Sequence, residues 1–203
     1  MTAVPSQFDR VGALVNNADV FTQHFVEDMP VGDWDRVLSV NLRETFLCTQ
    51  VLLGQMLDRE SGRLIDDASQ LGRIGGAEVA HDDASTAAVI SFTPSLACGV
   101  SSRGVLVNAI APGPIHTPLL AGETEQWRRA ELADLPIGRF SEVSKVPRQP
   151  CCSPPTTAHT TSARPSAPMA ETWCASPAAG ADDASWRTGH VIVNDGGISA
   201  QGL

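Results

Sequence analysis

The stretch AHDDASTAAV, residues 80–89, holds side chains that could carry out acid–base chemistry. Asp82 and Asp83 are adjacent carboxylic acids, and His81 precedes them. A carboxylic acid has a reference pKa of about 3.9, so the sequence predicts that Asp82 is ionised at pH 7 and unable to donate a proton. Two alternatives stay open. Deep burial beside Asp83 would raise the pKa of Asp82, or His81 or His116 could donate the proton instead.

The composition predicts a single soluble, globular domain. The chain has 203 residues, of which 42% are hydrophobic, and a formal net charge of −9. The negative charge argues against a nucleic-acid or membrane partner, since both favour clustered Lys and Arg. The N-terminal residues lack a signal-peptide pattern, and no run reaches the roughly 18 apolar residues of a membrane span. The cytoplasm is therefore the expected compartment.

The cysteines form no regular disulfide or metal-binding pattern. The chain contains Cys48, Cys98, Cys151, Cys152 and Cys174. A zinc site made of the last three with His159 is the alternative, but adjacent cysteines suit tetrahedral geometry poorly and no C-x-x-C pair is present. We expect free thiols and no metal.

Short apolar runs alternate with longer helical segments, which predicts an α/β fold around a parallel sheet. The predicted strands are 13–18, 62–69, 105–114 and 189–197, and the predicted helices are 32–57 and 84–104. A spacing of four residues predicts an apolar face on each helix, made of Trp34, Leu38, Leu42 and Phe46 in the first and of Ala88, Phe92 and Leu96 in the second. Pro94 lies inside the second helix, where it would remove a hydrogen bond and clash at a cost of about 3 kcal/mol.

Residues 145–177 interrupt this pattern. They are rich in Pro, Ser, Thr and Ala and show no helical or strand period. Such a composition predicts a disordered insert between residues 1–144 and 178–203 of one domain. A frame-shifted stretch would leave the same signature.

Five motifs connect the chain to a known family. LVNNA, NLRETF, ASQLG, VNAIAPGPIHTP and VNDGG occur in the order and at the spacing of the short-chain dehydrogenase/reductase family. The chain resembles this family over about residues 9–144 and 178–203, and is most similar to its bacterial 3-oxoacyl-acyl-carrier-protein-reductase-like members. The resemblance implies a partial Rossmann-like, doubly wound parallel sheet. It also implies hydride transfer between NAD or NADP and a small carbonyl or alcohol substrate.

The same resemblance assigns roles to individual residues. Asn41 matches the asparagine that holds a water of the proton relay, and Ser69 matches the serine that hydrogen-bonds the substrate oxygen. Asp82 and Thr86 stand where the family has its catalytic tyrosine and lysine. Contacts with the cofactor are implied for Asn16, Ala18, Pro112, Gly113, Ile115 and Thr117. By resemblance, helices 32–57 and 84–104 form a subunit interface, so a homo-oligomer is expected.

Several positions depart from the family pattern. The chain contains no tyrosine. No glycine-rich turn precedes the LVNNA strand, which predicts an N-terminally truncated domain, an edge strand at 13–16 and doubtful cofactor binding. Asp19 replaces a glycine, and Asp67 stands where the strand is normally apolar, so it is expected to be a costly buried carboxylate.

The expected function is therefore that of an NAD(P)-dependent oxidoreductase that is impaired or inactive. Two alternatives remain open. One is a non-catalytic remnant that associates with a homologue, and the other is the product of a pseudogene or a frameshift.

Overall fold

A four-stranded parallel sheet forms the centre of the fold. The computed structural model describes residues 10–145 and the backbone of residues 191–194. Its strands lie in the order β1 (Ala13–Asn16), β2 (Gly62–Asp67), β3 (Val105–Pro112) and β4 (Val191–Asn194), and every ladder is parallel. The predicted α/β fold and all four predicted strands are confirmed. Within the described part of the chain β1 is an edge strand, paired with β2 alone.

The core lies between this sheet and two long helices. Strand β3 buries alternate residues, among them Val105 and Val107, which pack with Leu64 of β2. Met56 and Ala97 close the core from the helices, and both are fully buried. Burying each of the larger aliphatic side chains contributes about 1.5–3 kcal/mol to folding.

The first predicted helix exists, but its buried face is not the predicted one. It consists of α1 (Val31–Val37), a π-helical segment (Leu38–Glu44) and α2 (Thr45–Asp58). The buried positions include Val37, Asn41, Thr45 and Thr49, whereas Trp34 is 37% and Phe46 is 44% exposed. A π-helical segment holds more residues per turn than an α-helix, so it changes which residues face the sheet. Polar side chains can occupy the inner face because they find hydrogen-bond partners there.

The second predicted helix, α4 (Ala80–Val100), begins four positions before the predicted start and follows the short α3 (Leu71–Ile74). Pro94 lies inside α4 and does not end it. The buried stripe is Ser85, Val89, Thr93 and Ala97. The predicted stripe of Ala88, Phe92 and Leu96 lies one position to the side and is only half-buried. The prediction followed the larger apolar residues, whereas Ser85 and Thr93 of the buried stripe are held by internal hydrogen bonds.

One helix of the described residues is long and apolar enough, by length and composition, to cross a membrane, namely Ala80–Arg103. No such segment was expected from the sequence. Core helices of globular proteins also meet this test of length and composition. In this fold α4 packs against β3, with His81 and Val89 buried in the protein interior.

A smaller apolar cluster lies under α5 (Glu125–Asp134). Thr124 caps this helix, because its hydroxyl accepts a hydrogen bond from the Trp127 backbone N–H at 3.2 Å. Trp127 packs with Leu135 and Phe140, and its ring makes an edge-to-face contact with Phe21 at 6.2 Å between centroids. This contact fixes α5 against the loop that follows β1.

Several predictions fall outside the described residues. They are the insert at 145–177 except for its first residue, most of 178–203, and the zinc alternative at Cys151, Cys152, Cys174 and His159. Cys48 carries a free thiol, as expected. The expectation is wrong for Cys98, because a disulfide bond occupies its sulfur.

Candidate active site

The predicted site residues gather where the strands end. The carboxyl ends of β1, β2 and β3 meet at one edge of the sheet, which is where ligands bind in open parallel α/β folds. Asn16 ends β1, Ser69 follows β2, and Pro112 ends β3. Helix α4 begins nearby and contributes Asp82 from its first turn.

Asn41 is the centre of the hydrogen bonds at this edge. Its side-chain oxygen accepts from the Val20 N–H at 2.9 Å, and its amide donates to the Val20 carbonyl at 3.1 Å. The same amide nitrogen lies 3.3 Å from both Asp82 Oδ1 and Ser85 Oγ. Asn41 therefore joins the loop after β1 to the start of α4. It belongs to the π-helical segment, a feature that is frequent at functional sites.

Asp82 is a buried acid that keeps its proton at neutral pH. It is 4% exposed. Burial raises its pKa to about 8, and the nearby carboxyl groups of Asp19, Asp83 and Glu123 act in the same direction. The prediction that Asp82 is ionised at pH 7 is therefore wrong, because the reference pKa ignores both burial and these acidic neighbours.

The Thr86 side chain is hydrogen-bonded to the backbone of its own helix. It is 6% exposed, and its hydroxyl donates to the Asp82 backbone carbonyl at 2.9 Å. No positive charge stands at this position. The only lysine of the chain is Lys145, which lies in a short turn, Val143–Lys145, far along the sequence.

Ser69 is half-buried at the end of β2. Its oxygen accepts a hydrogen bond from the Leu71 N–H at 3.1 Å, which supports the start of α3. Since the hydroxyl oxygen is the acceptor in this contact, its proton stays available for a substrate oxygen. The role implied for this serine stays a prediction.

Two further carboxyl groups lie at this edge of the sheet, Asp19 after β1 and Asp67 at the end of β2. The Asp19 residue is exposed as a whole, but its carboxyl accepts hydrogen bonds from the Val20 backbone and from the Asn41 side chain. Partial burial raises the pKa of Asp19. Burial and the Asp19 charge raise the pKa of Asp67 to about 6. Asp67 accepts from Asn17 Nδ2 at 2.7 Å, so it has a partner, although its second oxygen has none among the described residues.

The α5 segment adds a third acid from outside the sheet. Both carboxyl oxygens of Glu123 are buried without a hydrogen-bond partner in the described part of the chain. Burial and the Glu131 charge raise the pKa of Glu123 to about 7, while Arg128 lowers it. Sequence reasoning did not identify Glu123, because only its position in the fold brings it to Asp82. A lone glutamate before a helix carries no such signal.

Asn16 has a structural role in the fold. It is 8% exposed, and its amide donates to Thr49 Oγ1 at 3.1 Å and to Asp66 Oδ1 at 2.8 Å. Asp66 is fully buried and also accepts from Thr93 Oγ1 at 2.9 Å. These bonds join β1, β2, α2 and α4 beneath the site. Through these contacts Asn16 satisfies polar groups at the end of a strand.

The loop after β3 is fixed by two backbone hydrogen bonds to one residue. The His116 N–H donates to the Ser141 carbonyl, and the Ser141 N–H donates to the Pro114 carbonyl, both at 2.9 Å. Gly113, Ile115 and Thr117 are half-buried in this loop, as is Pro112 before it, whereas Ala18 is exposed in the loop after β1. His116 is also exposed, and His81 is buried with a lowered pKa, so neither histidine is set up as a proton donor by its surroundings.

The described residues contain no group of three or more His, Cys, Asp or Glu side chains arranged to hold a metal ion. Asp82 accepts from Asn41, and Asp67 accepts from Asn17.

Comparison with known proteins identifies the family. The sequence profile of the short-chain dehydrogenases matches residues 1–128. The chain is 34% identical over 146 residues to the 3-oxoacyl-acyl-carrier-protein reductase FabG of Vibrio cholerae, a match that covers 72% of this chain and 60% of that protein. It is 37% identical over 138 residues to the corresponding reductase of Aquifex aeolicus, covering 68% of this chain and 56% of that protein. The chain thus spans little more than half the length of these relatives.

A solved structure agrees with the sequence matches. It is assigned as an NAD(P)-dependent gluconate 5-dehydrogenase from Beutenbergia cavernae and has NADP bound at low occupancy. The match has a TM-score of 0.74 and 31% identity, and it covers 94% of this chain and 67% of that one. The neighbour supports a Rossmann-like fold and NAD(P) as the general cofactor class. On the profile, the relatives and the fold together, this chain belongs to the short-chain dehydrogenase family.

Proposed function

We propose that this protein is an NAD(P)-linked oxidoreductase of the carbonyl/alcohol class whose hydride-transfer activity is strongly impaired. The observation that carries this proposal is the state of Asp82 and Thr86. Both are buried: one carboxyl oxygen of Asp82 accepts from Asn41, and the Thr86 hydroxyl donates to the Asp82 backbone carbonyl. Neither position offers a phenol or an ammonium group to a ligand.

The short side chain of Asp82 limits it as a proton donor more than its pKa does. With a pKa of about 8, it is protonated at pH 7 and is able to donate. However, the carboxyl oxygens of an aspartate lie about 3 Å closer to the backbone than the hydroxyl of a tyrosine, because the side chain lacks the ring. A general acid has to come within about 3 Å of the atom that it protonates, or act through one water. A substrate oxygen held by Ser69 would therefore lie beyond direct contact with Asp82.

The missing cation removes a second contribution. A lysine at position 86 would hold ribose hydroxyls by resemblance to the family, whereas Thr86 is a neutral hydroxyl turned toward its own helix. A positive charge near the proton donor also favours the negative form of that donor. Without it, ionisation of any acid at this edge is opposed by the neighbouring carboxyl groups.

The test is a comparison of turnover in matched variants. Oxidation of NADH and NADPH with a generic ketone is followed for the wild-type chain, for the double variant Asp82→Tyr with Thr86→Lys, and for Asp35→Asn, an exposed control on α1. We expect turnover at or near the background rate for the wild type and the control, and a gain in the double variant. Wild-type turnover as fast as that of the double variant contradicts the proposal. Absence of turnover in both also contradicts it, because the limit would then lie outside these two residues.

A second candidate function is association with a second copy of the chain or with a homologue. Phe46 and Val51 of α2 are 44% and 49% exposed, and Phe46 makes an edge-to-face contact with Phe92 of α4 at 6.5 Å. Exposed aromatic and aliphatic groups on adjacent helices are typical of a protein interface. The helices are those for which family resemblance implies a subunit contact.

Light scattering coupled to size exclusion tests this candidate. We expect a dimer or larger assembly for the wild type and a monomer for Phe46→Glu, with Asp35→Asn behaving as the wild type. A wild-type chain that is monomeric at high micromolar concentration contradicts association between copies.

A further inference from the structure

Three carboxyl groups from separate elements converge at the carboxyl edge of the sheet. Asp19 lies in the loop after β1, Asp67 ends β2, and Asp82 lies in the first turn of α4. Asp19 acts electrostatically on both of the others, and in each case it makes the charged form less favourable. Asn41 holds two members of the group in place, because its side chain bonds both Asp19 and Asp82.

The groups that surround these three acids do not offset their charge. Asp83 and Glu123 also face Asp82, and both are acidic. His81 is buried beside them, and its pKa is lowered, so it is neutral at pH 7. Arg128 lowers the pKa of Glu123, but among the described residues no cation shifts the pKa of Asp67 or Asp82. Asp82 holds its proton at pH 7, whereas Asp67, with a pKa raised to about 6, is mostly ionised there.

One part of the implied cofactor site is supported by backbone contacts, and another part is lined by acidic groups. The loop Pro112–Thr117 has the backbone support described above and carries no acidic side chain. A nicotinamide dinucleotide, however, has a pyrophosphate with two negative charges, and NADP has an additional phosphate. In family members of this fold, such a molecule is held by groups of opposite character, namely backbone N–H donors and cations. Here the groups at the sheet edge are carboxyl groups instead.

We infer that the carboxyl groups of Asp19 and Asp67 oppose the binding of NAD(P)H at this edge of the sheet, so that the cofactor site of this chain no longer fits its cofactor. The inference rests on the proposed function, because it concerns the same site. It adds a separate cause of impairment, the charge of these carboxyl groups, to the loss of the proton donor and the lysine.

Asp19 and Asp67 carry the effect most directly. Asp19 is exposed in the loop after β1, and its carboxyl accepts hydrogen bonds from Val20 and Asn41. Asp67 keeps one buried oxygen without a partner among the described residues. Two like charges within about 8 Å repel each other appreciably in a medium of intermediate dielectric constant. Removing both carboxylates should therefore strengthen dinucleotide binding by about tenfold or more at low salt.

The experiment measures NADPH binding by the full chain, with nicotinamide fluorescence as the readout. The proteins are the wild type, Asp19→Asn, Asp67→Asn, the double variant, and the exposed control Asp35→Asn, each checked by circular dichroism for an unchanged fold. At pH 8 we expect the double variant to bind about tenfold more tightly than the wild type and the control to match the wild type. The gain should shrink at pH 5.5, where more of the carboxyl groups are protonated, and in 1 M salt. Equal affinity across all proteins overturns the inference, and so does an absence of detectable binding in every variant.

A matched pair of ligands gives a second measurement on the unmodified protein. Nicotinamide mononucleotide and nicotinamide riboside differ only by one phosphate. We expect the wild type to bind the riboside in preference at pH 8, and equal binding of the two overturns the inference. These results separate from the turnover test. A wild type that reduces ketones rapidly contradicts the proposed impairment, whereas a wild type whose NADPH affinity ignores charge contradicts only this inference.

Discussion

Replacing Asp82 by asparagine should stabilise the fold at neutral and alkaline pH. The folded protein holds the Asp82 proton up to about pH 8, whereas the unfolded chain releases it near the model value of 3.8. Between these values the folded form binds more protons than the unfolded form, so the free energy of unfolding falls as the pH rises. Asn41 Nδ2 can still donate to an asparagine oxygen at this position, as it does to Asp82 Oδ1. Asp82→Asn thus removes the pH dependence while it keeps the contact.

The size of the effect follows from the pKa shift. Each pKa unit corresponds to about 1.4 kcal/mol, so a shift from 3.8 to about 8 sets an upper bound of about 6 kcal/mol above pH 8. That bound is comparable to the whole stability of an ordinary domain, about 5–15 kcal/mol. Local opening or water entry at the start of α4 would relieve the charge before such a cost was reached. We expect a gain of about 2 kcal/mol for Asp82→Asn at pH 8.5, which shrinks as the pH is lowered and vanishes only near pH 3.8.

Urea denaturation followed by far-UV circular dichroism at several pH values measures this directly. The difference between wild type and Asp82→Asn isolates Asp82, because the slopes from Asp67, Asp83 and Glu123 are common to both proteins. Asp35→Asn is the control for a charge change on the surface. A wild-type stability that rises between pH 5 and pH 8.5 would refute the reasoning, as would a variant less stable than the wild type at pH 8.5.

Substitutions at three other positions test how the sequence maintains the fold, each by urea denaturation. Pro94→Ala should raise the free energy of unfolding by about 1–3 kcal/mol, because it restores a backbone donor inside α4; no gain would mean that the helix already accommodates the proline. Asp66→Ala should lower it by about 2–4 kcal/mol and Asp66→Asn by less, since alanine leaves the Asn16 and Thr93 donors without their acceptor; equal losses would contradict this explanation. Gly104→Ala should lower it by more than about 2 kcal/mol, because φ is +75° and a Cβ there would lie 1.9 Å from the Glu60 carbonyl oxygen; a stable variant would show that this turn can move.

Strands β1, β3 and β4 could be predicted from the sequence because each is a short, mostly apolar run, whereas β2 has only Leu64 and Ile65 as its apolar signal. Strand β3 is the clearest case, since its apolar residues continue up to the Pro-Gly that ends it. The helix faces could not be predicted in the same way. Asn41, Thr45 and Thr93 occupy inner positions because the fold supplies hydrogen-bond partners at those points, and the pattern of apolar residues contains no record of those partners. The π-helical segment then changes the face again.

The family residues could be located from motifs, but the state of the site could not. Asp19, Asp67 and Asp82 are far apart in the sequence, and each was recognisable only as a departure from the family pattern. Parallel topology brings the ends of β1 and β2 to the same edge of the sheet, and only there does Asp19 act on both Asp67 and Asp82. Burial decides the outcome, because it turns an acid expected to be ionised into one that is protonated at pH 7.

Protonation therefore takes the place of ion pairing at this site, and this has a consequence for any attempt to restore activity. Introducing Thr86→Lys alone would place a cation one helical turn from Asp82. An ammonium group at that distance would favour the carboxylate and lower the pKa of Asp82, so the protein would lose its neutral acid without gaining a phenol. The single variant should gain stability at pH 8 yet show no gain in ketone reduction, whereas the combination with Asp82→Tyr supplies both groups. A gain in turnover from Thr86→Lys alone would show that the cation, and not the proton donor, is the limiting loss.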